Sequence, residues 1–245
     1  MKSLSPVLFF MLVVVTGPGF VQKVQPAAAS KKITLIFHHR IGNEELITGN
    51  SIKNILGETI SVDRFRYYVS NFSITDDKGV NIKLPVEYFL VDEEDASTKT
   101  ITLTIPAISV THINFLLGVD SIRNVSGIQT GALDPVKGMF WTWNSGYVMA
   151  KLEGTSDEST SAGGRFTYHI GGFRKGMNTT KMIDLEIDNN HQSFEAVHIS
   201  ADINHWFKGS TELKISETPV CHSPGTLAMK IADNYSTMFS VNSIR

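Results

Sequence analysis

Two indoles stand one residue apart in the run Gly138-Met-Phe-Trp-Thr-Trp-Asn-Ser-Gly-Tyr147, and they are the residues with the most unusual chemistry in the chain. If Trp141 and Trp143 lie on one strand, alternation points both rings to the same face. Such a pair has three uses. It is an aromatic shelf in a sandwich core, a platform for sugar or peptide, or a precursor of something else. Oxidative opening of an indole yields kynurenine, with an aniline nitrogen and a ketone. Beside imidazoles this makes a low-coordinate, nitrogen-rich site suited to copper(I), and Met139, Met149 or Met177 would add a soft thioether.

The other candidate groups are dispersed. Eight histidines are scattered without an HxH or HxxxH pair, so no compact zinc motif exists in the local sequence. His38 and His39 are adjacent and fall on opposite faces of a strand. His169 precedes Gly171-Gly172 at a strand end, where a structural role is the ordinary reading. Asp120, Asn124 and Asp134 are hard oxygen donors of the kind calcium takes, but they fit no loop of known ligand spacing. The acidic run Asp92 to Asp95 reads as a solvated loop. No nucleophile elbow, phosphate loop or dinucleotide fingerprint is present, and a metal-dependent hydrolase built on Asp120 and the histidines would lack an activated nucleophile.

The elements that must position these groups are short and rich in β-branched and aromatic residues. Strands are expected at 33–38, 65–74, 101–105, 113–117, 147–152, 165–170 and 194–200. Turn signals at Asp76-Asp-Lys-Gly79, Gly163-Gly164, Gly171-Gly172 and Asp188-Asn-Asn190 punctuate them. Helix is expected at Ala201–Phe207 and Leu227–Asn234, a surface hairpin loop at Thr155–Gly164, and irregular chain from Asp120 to Lys137. The expected fold is mostly β: a single-domain antiparallel β-sandwich over residues 30–245 with short helical pieces.

Residues 1–29 read as a secretory signal peptide, with Lys2, the apolar run Val7–Val15 and Ala27-Ala28-Ala29 before Ser30. The expected location is therefore the periplasm or the medium, with no membrane span after cleavage. With 22 Lys and Arg against 24 Asp and Glu and no basic run, nucleic acid and anionic membranes are poor partners. The single cysteine, Cys221, excludes an intramolecular disulfide and reads as a small buried hydrophobe. Nothing in the sequence bears on oligomeric state.

An ordered set of segments resembles the MbnP-like family, secreted copper-binding proteins named for a member encoded in methanobactin operons. The set runs from Phe37-His-His-Arg-Ile-Gly-Asn43 through Phe65-Arg-Tyr-Tyr-Val-Ser-Asn71, Tyr88-Phe-Leu-Val-Asp92 and Phe115–Gly127. It continues with Gln129–Pro135, the tryptophan run, Lys151-Leu-Glu-Gly154, Phe166-Thr-Tyr-His-Ile-Gly-Gly-Phe173 and Ile231-Ala-Asp-Asn-Tyr235. The resemblance implies an exported β-sandwich that is not itself an enzyme. It also implies a partner, a dihaem peroxidase-like enzyme of the MbnH/MauG type, that converts one tryptophan to kynurenine. Copper(I) would then be held by that kynurenine and histidines. Carried over by position, the metal-site candidates are His39, His169, Trp141 and Trp143; the motif does not say which tryptophan is modified. The alternative is a secreted binding or adhesion module that uses the tryptophan pair as its platform.

Overall fold

Alternation in the first apolar segment separates the inside of the molecule from the outside. In β1 (Ser30–Ile41) the side chains of Ile33, Leu35, Phe37, His39 and Ile41 are buried and His38 is exposed, as a period of two requires. The chain continues through β2 (Glu44–Glu45), β3 (Ser51–Lys53), the 18-residue β4 (Thr59–Asp76), β5 (Asn81–Lys83) and β6 (Tyr88–Asp92). β7 (Thr100–Pro106) and β8 (Val110–Leu117) precede α1 (Ser121–Val125), β9 (Phe140–Trp141), β10 (Gly146–Ser156) and β11 (Arg165–Gly171). β12 (Lys181–Glu186), β13 (Ala196–Asp202), α2 (Asn204–Phe207), β14 (Val220–Cys221), α3 (Thr226–Tyr235) and β15 (Phe239–Ile244) complete it. The structure, a computed structural model, describes residues 29–143, 146–188 and 194–245. The expected signal segment up to residue 28 and the last two residues of the 188–190 turn lie outside the described residues.

The strands form two layers. β1, β2, β7, β13 and β15 make a five-stranded sheet. The second sheet is strongly curled and runs β12-β8-β4-β10-β11-β14, with β3, β5 and β6 also on β4 and β9 on β10. Most pairs are antiparallel, but β1–β13 and β11–β14 are parallel. The mostly β architecture with short helical pieces is the one expected, and its two sheets are mixed, with parallel pairs among the antiparallel ones. Parallel neighbours need a long crossover rather than a hairpin, so local turn signals do not announce them.

Between the layers Phe37, Tyr67, Phe115 and Phe239 meet edge to face, with centroids 5.3–6.2 Å apart. This geometry suits the ring quadrupoles. A second, smaller cluster lies on the other face of β4 and β10: Tyr68, Val119, Leu133, Met139, Trp141, Tyr147 and Met149. It is roofed by the segment from Val119 to Trp141, whose stretch Asp120–Lys137, expected to be irregular, contains only α1 and two single turns of 3₁₀ helix before β9. β4 therefore has apolar side chains on both faces, and its bend falls at Asn71, where φ is +51°. Asparagine tolerates that left-handed conformation better than other residues carrying a Cβ.

The helical expectation for Leu227–Asn234 corresponds to α3. That for Ala201–Phe207 is corrected: Ala201 and Asp202 close strand β13, and only the four residues of α2 are helical. Ala201 pairs with both His39 and Phe239, so ladder pairing on two sides overrides local helix preference.

Candidate metal centre

The tryptophan run is held down by hydrogen bonds from the sheet beneath it. Lys151 on β10 is buried and its Nζ donates to the Gly138 carbonyl at 2.7 Å. Burial lowers the pKa of this ammonium, so it trades hydration for a fixed position under the turn. Arg66 donates to the Lys137 carbonyl at 3.1 Å, and the hydroxyls of Tyr68 and Tyr147 donate to Ala132 and Leu133 at 3.1 and 2.9 Å. Asn124 ties α1 to the start of β10 by accepting from the Tyr147 amide at 2.9 Å.

This roof ends in β9, and Trp141 turns back onto the sheet. Its six-membered ring lies over Gly171: a Cβ there would sit 2.7 Å from Trp141 Cζ3 and 2.7 Å from the Tyr147 carbonyl. The expectation of one strand carrying both indoles is corrected. β9 stops at Trp141 because a turn follows at Thr142 and Trp143, and Trp143 is 64% exposed while Trp141 is 7% exposed. The rings nonetheless meet, with centroids 5.2 Å apart and planes tilted by 38°.

His169 stands two residues before Gly171 on β11, and by alternation on the same face. Its Nε2–H donates to Glu153 Oε1 at 2.5 Å, which leaves Nδ1 without that partner. Beside it β14 runs parallel to β11, with Tyr168 opposite Cys221. That register sets His222 against His169, and the two imidazoles stack with centroids 4.3 Å apart and 27° between planes. Burial holds the His222 pKa below the ordinary histidine value, and proximity to His169 adds to the effect. The neutral form favoured here is the one that ligates metals. The hydrogen bond from His169 holds the Glu153 carboxyl down to about 2, reinforced by Lys151 and Arg64, with burial opposing.

Of the sequence candidates, the structure therefore brings together His169, Trp141 and Trp143. It does not bring His39 to them. His39 packs against Phe65 and Tyr67 on the core side of β4, 4.7 and 5.4 Å between centroids. His169 pairs across Lys151 with Arg66 on the opposite side of the same sheet. Both ring nitrogens of His39 are also engaged: Nδ1–H donates to Glu93 at 2.6 Å and Nε2 accepts from the Tyr67 hydroxyl at 3.0 Å. Burial lowers its pKa despite the neighbouring Glu93 carboxylate.

The three calcium candidates do not converge on one point either. Asp120 accepts from Tyr88, Arg123 N–H and Asn71, Asn124 holds Tyr147, and Asp134 accepts from Val136 N–H. Met139 is buried in the small cluster and Met149 Sδ accepts from the Val119 amide, whereas Met177 lies half-exposed beside Gly172 and Pro224. Among the described residues, no group of three or more His, Cys, Asp or Glu is placed to hold a metal ion. The donor set at the tryptophan site is therefore two imidazoles plus whatever the indole contributes.

His222, Glu153 and Lys151 stand at this site but are not among the site residues expected from the sequence. His222 becomes legible only once β14 is known to add to β11. Glu153 and Lys151 alternate on a strand otherwise apolar, and that placement of paired charges at an interior strand is the signal they offered.

Fold and site together define a two-layer β protein carrying a bis-imidazole, indole-walled site on the outer face of its curled sheet. The profile of the MbnP family matches residues 30–223, a span that includes Trp141, Trp143, Glu153, His169 and His222, and the chain belongs to that family. Among solved structures it is similar to MbnP from Methylosinus trichosporium, with a TM-score of 0.60 and 14% identity over 87% of this chain and 98% of that one. Comparison with curated protein sequences finds no match. No helix of the described residues is long and apolar enough to cross a membrane.

Proposed function

We propose that this protein is an exported copper carrier that holds copper(I) at His169 and His222 together with a kynurenine made from Trp141. The observation that carries the proposal is the convergence of three groups from distant parts of the chain: two stacked imidazoles, one on β11 and one just after β14, and Trp141 packed over Gly171 on the same strand as His169. Two neutral nitrogens and an aniline make the kind of low-coordinate site that copper(I) accepts. His169 would ligate through Nδ1, because Glu153 engages Nε2. A carboxylate behind a ligating imidazole orients the ring and raises its basicity. This assignment replaces His39, whose nitrogens are committed inside the sandwich, with His222.

The copper supplies the cargo and the protein performs no turnover of its own. Oxidation of Trp141 is assigned to a partner dihaem peroxidase-like enzyme. The exposed Ile122, Val125, Ile128, Val136 and Trp143 give such a partner an apolar approach to the roof segment. Trp141, rather than Trp143, is assigned as the modified residue because it lies against the strand that carries His169.

The test combines peptide mass spectrometry with copper titration on protein purified from its native host. The tryptic fragment Gly138–Lys151 contains both tryptophans of the site, and Trp206 in the core is the control for adventitious oxidation. Kynurenine at position 141 and loss of copper(I) binding in the His169→Ala, His222→Ala double variant are expected. Intact tryptophans in cells that make the oxidase, or a titration unchanged in the double variant, would replace this reading with the binding-module alternative.

A further inference from the structure

Of the chain's three tryptophans two are buried, and they differ in what touches them. Trp206 lies in the main core, and its ring neighbours Phe65 and Tyr235 are buried with it. Trp141 is buried too, yet the indole against it, Trp143, is largely exposed. Their centroids stand 5.2 Å apart with the planes tilted by 38°, within the range at which aromatic rings are in contact. The outer ring therefore meets the solvent and the inner ring at once, while the inner ring has little surface of its own to offer.

That arrangement suits an oxidation carried out from outside. Conversion of Trp141 to N-formylkynurenine removes four electrons and four protons and adds the oxygens of two waters. Hydrolysis by a third water then releases formate and leaves kynurenine. In the partner's reaction the electrons pass singly to its haem oxidant and end on two molecules of peroxide, which the four protons complete to four of water. A haem enclosed in its own protein cannot be laid against a buried indole. Electron transfer slows steeply with distance, so an oxidisable ring in contact with both Trp141 and the molecular surface shortens the longest step.

We propose that Trp143 is the electron relay for the oxidation of Trp141. Each electron leaves Trp141 through the Trp143 ring to the oxidant outside, and Trp143 returns to its starting state after every transfer. This rests on the reading of Trp141 as the modified residue, and it gives the second indole of the run a task that copper binding does not supply.

The test replaces the partner by a photo-oxidant too bulky to reach a buried ring, tris(bipyridine)ruthenium with a cobalt(III) ammine as sacrificial acceptor. It acts on the full chain made without the partner, so that the tryptophans start intact, and without copper. Tandem mass spectrometry of the Gly138–Lys151 fragment separates position 141 from position 143. Oxidation products are expected at Trp141 and not at Trp206, which has no exposed ring against it. Trp143→Phe keeps a ring over Trp141 but is far harder to oxidise; at about 59 mV per tenfold in a one-electron equilibrium, product at Trp141 is expected to fall by about tenfold or more. The unfolding midpoint should stay in place, and Trp143→Tyr, which restores an oxidisable ring, should recover the product. Unchanged product at Trp141 in Trp143→Phe overturns the relay, and so does product confined to Trp143 in the parent. Either failure leaves the copper reading standing, because that reading is judged on kynurenine and copper titration in protein from the native host.

Discussion

Replacing Gly171 by alanine should dislodge Trp141, and the structure sets how much this costs. Gly171 is not among the glycines with positive φ, so its backbone is one that alanine adopts without strain. Space alone requires glycine there. The new methyl carbon would lie 2.7 Å from Trp141 Cζ3, 2.9 Å from Cη2 and 2.7 Å from the Tyr147 carbonyl oxygen, whereas carbon–carbon contacts settle near 3.5–4.0 Å. The strand partner cannot retreat without breaking the β10–β11 ladder, so the indole must move by about 1 Å or swing out. A buried tryptophan covers roughly 150–250 Å², and exposing a third to a half of it at about 25 cal/mol per Å² costs roughly 1–3 kcal/mol. That range agrees with the cost of overpacking generally, about 1–3 kcal/mol. Urea unfolding should therefore show a loss of about 2 kcal/mol, and near-UV circular dichroism should lose signal from the Trp141–Trp143 contact. Copper(I) binding should weaken in parallel, because the indole-derived donor leaves the histidines. A variant within about 0.5 kcal/mol of the parent and with an unchanged near-UV spectrum would refute the packing argument outright.

Three further outcomes follow from other groups in the fold. His39→Ala leaves the buried Tyr67 hydroxyl without its partner and the half-buried Glu93 carboxylate with only Lys99, and together with the lost ring packing should cost about 2–4 kcal/mol in urea unfolding while leaving copper(I) affinity intact; loss of copper binding at unchanged stability would return His39 to the ligand set. For Asp120, burial raises the carboxyl pKa, but hydrogen bonds from Tyr88, the Arg123 amide and Asn71 outweigh it and the net shift is downward. The stabilisation it supplies is then complete above the ordinary carboxyl range near pH ~4 and is lost as pH falls through the lower native value. Acid unfolding of Asp120→Asn should accordingly show a flatter limb than the parent, and identical acid limbs would dismiss the anchoring role. Cys221 is 5% exposed, and burial raises its thiol pKa, so a thiol reagent at neutral pH should label it only as fast as the protein opens; rapid labelling of the folded chain would contradict its place in the core.

How far these features could be read in advance depended on the range of the interaction that creates them. Alternation is a nearest-neighbour property, and it put His38 and His39 on opposite faces of β1 before any partner strand was known; that His39 is the inner one is seen only in the fold. The same rule failed for Trp143, because the turn after β9 breaks the period one residue beyond Trp141. His169 was recognisable from its motif, but its partner was not. His222 reaches it only through the parallel addition of two-residue β14 to β11, a contact between segments some fifty residues apart with no hairpin to mark it. His39 was carried over by position from the resemblance; strand alternation tells which face of its own sheet a residue occupies, and only the pairing order β4-β10-β11 shows that the core side of β4 and the His169 side are separated by the sheet itself. A site assembled across a sheet edge is therefore specified by topology rather than by local pattern. The residues that betray it are charges such as Glu153 and Lys151, set where an interior strand would otherwise be apolar.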